Sequence, residues 1–544
     1  MNDRSHQIFP QLTAEQFELL GRYGTLRRYA AGSVVFAQGE RHIPMFVIVA
    51  GSMEVSRAGP LGTHVIGVHG PGNFTGEVGT LAGRAAVATG RAATDCALLV
   101  IDETALRTLV ITEADLSETI MRAFILRRMA FIADEAGALI LIGSGDNPDT
   151  LRLRDFLTRN GQPAAYFDIE RQSETAALAA RFGVAADDIP AVVTPDGAVL
   201  RRPGIRALAD AMGIGPDAMD GRQFDLVVAG AGPGGLAAAV YAASEGLRVA
   251  VLERTAPGGQ AGSSSKIENY FGFPTGISGL GLAGRGLSQA RKFGVEVAVP
   301  VSVTGIACGD TASGHFIDLD NGERIHARTV VISTGARYRT PDLADLHRFE
   351  GRGVYYSAAF LEAALCTGED VMIVGGGNSA GQAAVFLARY ARRVHIVIRK
   401  ADLAISMSHY LVQRIAAASN IVLHPFTQVT RLAGQSHLEQ VTLAAADGAE
   451  STVEVRHLFL FLGAKPNTAW LGDCVALDDK GFVLTGASLP PADWPIGRPP
   501  HFLETSRPGI FAVGDVRSGS VKRVAAAVGE GAAAVQSLHR VLAE

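Results

Sequence analysis

The chain has 544 residues, 63 of them glycine, with 48% hydrophobic and 19% charged residues and a formal net charge of −5. It is too long for a single core and implies roughly three or four domains, and the acidic balance argues against a nucleic-acid-binding body. No apolar run is long enough to span a bilayer, and the first residues lack a secretory core. The four scattered cysteines, Cys96, Cys308, Cys366 and Cys474, contain no Cys-x-x-Cys pair. They predict no disulfide framework and suit a reducing, cytoplasmic compartment, without membrane or nucleic-acid partners.

Residues 1–135 form the first unit. Thr13 to Tyr23 predicts a short helix, and strands at Ser33–Phe36, Met45–Ala50 and His64–Val68 follow between closely spaced glycines. Evenly spaced short strands with turn signals predict a jelly roll or barrel. The run Gly76-Glu77-Val78-Gly79-Thr80-Leu81-Ala82-Gly83-Arg84-Ala85 resembles the phosphate-binding cassette of cyclic-nucleotide-binding domains. The resemblance implies that Glu77 accepts from a ribose 2′-hydroxyl and that Arg84 forks onto the cyclic phosphate, as a planar guanidinium suits. The interval between them is shorter than the family's, and Arg91 is a competing match, so a module that has lost its ligand stands as the alternative. Leu116, Ile120, Phe124, Arg127 and Phe131 recur at helical spacing, which predicts a packing helix over Glu113 to Glu135.

Residues 136–215 read as a small α/β unit in the order β-α-β-α-β-β-α, with strands at Ala138–Ile142 and Ala164–Ile169 and a hairpin at Asp196-Gly197. The order, and Pro190 at the start of the third strand, resemble the thioredoxin/glutaredoxin fold, which implies a cis peptide at Pro190. The loop that carries that family's cysteines reads Gly143-Ser144-Gly145-Asp146-Asn147-Pro148-Asp149, so the unit has no thiolate for disulfide exchange.

At Asp225–Arg254 an apolar strand runs into Gly230-Ala231-Gly232-Pro233-Gly234-Gly235, then an Ala-rich helix, then a strand ending at Glu253. Gly230 permits the tight turn, Gly232 lets backbone approach a pyrophosphate, and Gly235 allows helix and strand to pack closely; Glu253 stands where an acid bonds ribose. The phosphates would lie on the helix N-terminus. Strand, glycines, helix and acid together predict a dinucleotide site.

A second such fold begins at Asp370–Val374 with the turn Gly375-Gly376-Gly377-Asn378-Ser379-Ala380 and a helix over Gly381–Tyr390. Ala380 is small enough to keep the close packing. The next strand, Val394–Ile398, ends in Arg399-Lys400 in place of an acid, which favours the 2′-phosphate of NADPH over NADH.

From Phe224 to Leu542 the chain resembles the low-molecular-weight thioredoxin reductases, flavoproteins with two dinucleotide folds. The motifs are Pro257-Gly258-Gly259-Gln260, Ile267-Glu268-Asn269-Tyr270, Val330–Ala336 and Gly509–Val516. The resemblance implies an FAD fold split between residues 220–344 and 467–544, with an NAD(P)H fold at 345–466 between them. It also implies flavin contacts at Gln260, Asn269, Thr334, Gly335, Gly514 and Asp515, and a homodimer. Val524 stands where the family has a polar flavin contact, and Ser357 and Phe360 where it keeps its redox cysteines. Without those thiols the relay from flavin to thioredoxin is cut.

The chain is thus expected to be a multidomain NAD(P)H-dependent FAD oxidoreductase in which hydride passes from NADPH to flavin N5 and on to an acceptor, a small molecule or redox protein, that the sequence does not name. No side chain is assigned as acid, base or nucleophile, and no metal ligand set is assigned. Two alternatives stand beside this reading: a thioredoxin-disulfide reductase using an unrecognised thiol, and a flavin and nucleotide sensor without turnover.

Overall fold

The computed structural model describes residues 8–544 except 61, 76–85, 134–138, 146, 163, 171–173, 265, 310–312, 357, 359–362 and 364. Helix α1, Ala14–Leu20, opens with Thr13 and Gln16 in a reciprocal capping box. Strands β1 (Thr25–Tyr29), β2 (Val34–Phe36), β3 (Met45–Ala50), β4 (Met53–Gly59), β5 (Gly62–His69), β6 (Phe74–Thr75), β7 (Thr89–Ala92) and β8 (Cys96–Ile101) follow. They form two 4-stranded sheets, β1-β8-β3-β6 and β2-β7-β4-β5. Alternation along β4 sends Met53, Val55 and Arg57 inward. The helical tail is two helices, α2 (Glu103–Thr112) and α3 (Ala114–Ala133). Leu116, Ile120 and Phe124 are buried as their spacing predicts. Arg127 in the same stripe is buried too, donating to the carbonyls of Ile8 and Phe74.

The second unit runs β9 (Leu139–Gly143), α4 (Pro148–Arg159), β10 (Ala164–Asp168), α5 (Glu174–Arg181), β11 (Ala191–Val193), β12 (Val199–Arg201) and α6 (Ile205–Ala211). Its sheet order is β10-β9-β11-β12, with β10 parallel and β11 antiparallel to β9. The Ile189–Pro190 peptide is cis. Val299, which lies beyond the unit in the chain, joins its apolar core.

The remainder holds two α/β bodies. In the first, β13 (Gln223–Ala229), α7 (Pro233–Ser244), β14 (Val249–Leu252), α8 (Gly279–Lys292) and β15 (Glu296–Ala298) lead to β16 (Val303–Cys308), β17 (His315–Leu319) and β18 (Arg324–Ile332). The chain leaves through β19 (Ala336–Tyr338). The second body is built from β20 (Val354–Tyr355), β21 (Asp370–Val374), α9 (Asn378–Leu387), β22 (Arg393–Val397), α10 (His409–Ala417) and β23 (Ile421–His424). It continues with the meander β24 (Thr427–Ala433), β25 (Gln440–Ala445) and β26 (Glu450–Glu454), then β27 (His457–Leu460). The return is β28 (Ala464–Pro466), antiparallel to β19, so two paired strands carry the chain out and back. β29 (Ile510–Ala512) and α11 (Val524–Ala543) complete the first body.

Its sheet runs β15-β14-β13-β18-β17-β16, and β29 pairs with the C-terminal half of β18. The all-parallel sheet of the second body runs β20-β27-β21-β22-β23. Helices α7 and α11 are Ala/Gly-rich because they cross closely: a Cβ on Gly531 would lie 2.2 Å from the Gly234 carbonyl oxygen.

Two expectations are corrected here. Helix α9 starts at Asn378, three residues before the expected Gly381, since Gly377 already has N-cap geometry and the helix amides begin with the motif itself. Cys308 and Cys474 form a disulfide, although none was expected. They are 166 residues apart, and only folding of β16 against the turn after Ala469–Leu471 brings them together, beside Ile306, Trp470 and Leu477. Cys96 and Cys366 are buried. No helix among the described residues is long and apolar enough to cross a membrane.

Candidate functional site

The C-terminal ends of β13, β18 and β29 converge on one crevice, and the glycine loop after β13 sits at its centre. Gly230 adopts φ +105°, and a Cβ there would lie 2.5 Å from the Ser333 carbonyl oxygen. A Cβ on Gly235 would strike Gly230 O at 2.1 Å, and Gly234 faces the Ala527 carbonyl of α11 at 3.0 Å. These glycines serve packing. Gly232 is different: the nearest atom to its hypothetical Cβ is 4.0 Å away, so its backbone faces open space at the N-cap of α7, with Pro233 as the first helical residue. An open backbone at a helix N-terminus is where a pyrophosphate is received.

Glu253 lies at the tip of β14. Its carboxylate accepts from the N–H of Ala231 (2.9 Å), Thr255 (2.9 Å) and Ala256 (3.3 Å). A carboxylate has about four lone-pair sites, so acceptor capacity remains for a ribose hydroxyl. The Ala231 carbonyl takes the Gly258 N–H at 2.7 Å, which ties the loop Pro257–Gln260 to the glycine loop. Gln260 donates through Nε2 to the Ala336 carbonyl, at the start of the crossover strand. Thr334 Oγ1 donates to Asn467 O (2.8 Å), and Asn467 donates back to Thr334 O (2.9 Å) and Gly335 O (3.0 Å), so the two crossover segments are locked beside the crevice.

The Gly514 turn closes the other side. The Gly514 N–H donates to Glu530 (2.7 Å), which also pairs with Arg517 at 2.5 Å. Burial raises the Asp515 carboxyl above its ordinary range, opposed by the Lys522 ammonium. That ammonium donates to the Asp515 carbonyl (2.6 Å) and to Ser520 (2.7 Å), and burial lowers its own pKa. Asn269 is exposed and, among the described residues, makes no hydrogen bond to the cluster; its neighbour Glu268 is ion-paired with Arg414 of α10.

The second body repeats the pattern. Gly375 has φ +136°, and a Cβ there would lie 2.4 Å from Phe461 O, whereas Gly377 has nothing within 4 Å. Asn378 and Ser379 open α9; Asn378 Oδ1 accepts the Ser408 N–H (2.7 Å), while Ala380 is fully buried. Arg399 and Lys400 are exposed just past β22, and among the described residues neither has an ion-pair partner. Glu77, Arg84, Ser357 and Phe360 lie outside the described residues.

Sequence reasoning missed Asn467, Glu530, Arg159 and Asn160. The last two reach the loop from α4: Arg159 donates to Gly259 O (2.8 Å) and Asn160 to Thr255 O (3.0 Å). Such ties span about a hundred residues, and no local motif announces them.

Two glycine loops with open second glycines, on two α/β bodies joined by paired strands, define a nucleotide-dependent oxidoreductase of the two-dinucleotide-fold class. The family model for pyridine nucleotide-disulphide oxidoreductases matches residues 224–531, and that for cyclic nucleotide-binding domains residues 26–113. The chain is 32% identical over 314 residues to a thioredoxin reductase of Mycoplasma genitalium, covering 57% of this chain and 93% of the relative. It is 30% identical over 332 residues to one of Listeria monocytogenes, covering 60% and 96%. Crystal structures of thioredoxin reductases from T. acidophilum (TM-score 0.53, 30% identity, 59% of this chain and 98% of that one) and Lactococcus lactis (0.54, 27%, 59% and 99%) are similar. The chain belongs to the pyridine nucleotide-disulphide oxidoreductase family, and carries a cyclic nucleotide-binding domain at its N-terminal side. It is an NAD(P)H-dependent flavoprotein oxidoreductase of thioredoxin-reductase-like architecture.

Proposed function

We propose that this chain moves electrons from NADPH through FAD to an acceptor other than a protein dithiol. When bound, the flavin supplies hydride acceptance from nicotinamide and onward electron transfer. The chain's own residues bind and orient. Gly232 and the α7 N-terminus receive the FAD pyrophosphate, and Glu253 takes a ribose hydroxyl. The loop at Gln260, the Thr334-Gly335 segment and the Gly514-Asp515 turn border the rest of the dinucleotide, and Asn269 approaches it from its exposed loop. Gly377, Asn378, Ser379 and the α9 N-terminus receive the nicotinamide nucleotide, with Arg399 and Lys400 on its 2′-phosphate.

The observation that carries the acceptor assignment is the place of the cystine. Register sets Cys308 level with His315 and Ala327. That is five residues back from Ile332 along β18, roughly 17 Å from the crevice end of the strand. Disulfide exchange needs a thiolate in contact with its partner, and the family's cysteine positions hold Ser357 and Phe360. The second unit, which we read as thioredoxin-like with a β jelly roll preceding it, lacks cysteine altogether. A disulfide-reductase reading would have to route electrons to Cys308–Cys474 from the wrong end of the sheet, or to Cys366, which is fully buried in the core of the second body.

Anaerobic mixing of the purified protein with NADPH, then a screen of quinones, ferredoxins, ferricyanide and disulfides, tests the proposal. Flavin reduction with turnover on non-thiol acceptors supports it. Turnover restricted to disulfides refutes it.

A further inference from the structure

We infer that Arg159 and Asn160, at the C-terminal end of α4 in the second unit, are positioning residues for the flavin. They hold the loop Thr255–Gln260 from outside both nucleotide folds. The inference rests on the reading of that loop as part of the FAD site.

Arg159 Nη2 donates to Gly259 O at 2.8 Å and lies 3.5 Å from Ala256 O. Its side chain is only 15% exposed and is steadied by Asp155, one helical turn back at 3.5 Å. Asn160 is 2% exposed, and its Nδ2 bridges Phe156 O (2.9 Å) of its own helix to Thr255 O (3.0 Å) of the loop. One helix end thus grips three carbonyls of a six-residue segment, through a cation and an amide that are both withdrawn from water. The Arg159 bonds are charge-assisted, a kind about twice as strong as neutral ones such as that of Asn160.

The loop needs such a grip. Gly258 and Gly259 have φ of +103° and +53°, so its backbone is intrinsically free to rearrange. Behind it lies a half-open pocket of about 110 Å³, lined by Ile125, Arg159, Pro257, Leu280, Ala283 and Leu287, beside the point where Gly258 packs against Ala283 of α8. On that side the polar ties set its place together with the Gly258–Ala283 contact. On the other side it meets the glycine loop, where a Cβ on Gly259 would be 3.2 Å from Gly232 Cα and where Gly258 N–H bonds Ala231 O.

The direction of the Gly259 carbonyl matters most. In a trans peptide the N–H of the next residue points the opposite way. Fixing Gly259 O toward Arg159 therefore turns the Gln260 N–H away from α4. The second unit, which has no redox chemistry of its own, becomes a brace that orders one wall of the flavin site.

The test uses the full-length chain as Arg159→Ala and Arg159→Lys, with Gly232→Val as the control on the reading of the site. Three quantities are measured: amide hydrogen exchange over residues 253–262 in the flavin-free protein, FAD affinity by titration of that protein, and the visible circular dichroism of bound flavin. Arg159→Ala should speed exchange in this loop while α4 stays protected, raise the FAD Kd roughly tenfold as a lost charge-assisted hydrogen bond implies, and shift the flavin dichroism. Arg159→Lys should recover part of each change. Should Arg159→Ala fail to fold, Arg159→Lys decides: a loop and Kd indistinguishable from wild type overturn the inference. Wild-type exchange and affinity in a folded Arg159→Ala protein, while Gly232→Val abolishes binding, overturn the inference and leave the site reading standing. Weakened FAD binding without faster loop exchange also overturns it. Undiminished FAD binding by Gly232→Val overturns the site reading itself.

Discussion

Glu253 offers the most direct perturbation of the proposed FAD site. Its carboxylate gathers three backbone N–H groups, from Ala231, Thr255 and Ala256, and so ties the glycine loop to the following loop. In Glu253→Gln one acceptor oxygen becomes an NH2 group, which must face either Ala231 N–H or the Thr255/Ala256 pair. That leaves at least one half-buried donor unsatisfied, at about 1–3 kcal/mol, and the remaining bonds lose their charge assistance. The loop has to hold this arrangement to receive the dinucleotide, so about 2 kcal/mol should surface as a ~30-fold rise in the FAD Kd. Titration of flavin-free protein followed by flavin fluorescence measures it, with a thermal melt to show that the fold survives. A Kd within threefold of wild type in a normally melting Glu253→Gln protein would refute the role given to this carboxylate.

Three further outcomes follow from named groups. NADPH should reduce the flavin faster than NADH at low concentration, and Arg399→Ala should narrow the gap; equal rapid-reaction rates in the wild type would remove the Arg399-Lys400 pair from the 2′-phosphate site. Burial, reinforced by the Arg127 charge, lowers the His69 pKa to about 4. The unfolded chain therefore binds a proton between pH 6.5 and 4 that the folded chain does not, and about 3 kcal/mol of stability present above pH 6.5 should be lost across that window; His69→Gln should flatten the pH dependence of the melt, and an unchanged slope would contradict it. If Glu77 and Arg84 serve a cyclic nucleotide, calorimetry on the whole chain should show saturable heat with cyclic AMP or cyclic GMP that Arg84→Ala removes, whereas silence at millimolar ligand marks an interaction module.

The parts of the fold that sequence made legible are those in which a local pattern has a single physical solution. Asp370–Val374 matches its strand end for end, Gly230 makes the turn and Gly235 the close packing that their spacing implies, and the Cβ direction of Gly232 is open. Met45–Ala50 likewise matches its strand, whereas Cys96–Ile101, equally apolar, passes unnoticed because no alternation or flanking turn pair marks it. What stayed hidden is nonlocal. Cys308 meets Cys474, and Arg159 meets Gly259, only because separate elements dock, and neither residue sits in a motif. The meander β24–β26 was missed for a different reason: its outer strands β24 and β26 are largely exposed, and β25 buries Val441, Thr442 and Leu443 in a row, so no strand shows a clear period of two.

The measurement closest to the central claim is an anaerobic NADPH titration of the purified holoprotein, read at the flavin band and by thiol counting, then completed with thioredoxin and an aromatic disulfide reporter. Flavin reduction should be complete with one equivalent of NADPH per FAD, with no new thiols from Cys308–Cys474 and no thioredoxin-dependent turnover. Uptake of a second equivalent, with thioredoxin reduction abolished by Cys308→Ser or Cys474→Ser, would contradict it and make the chain a dithiol reductase.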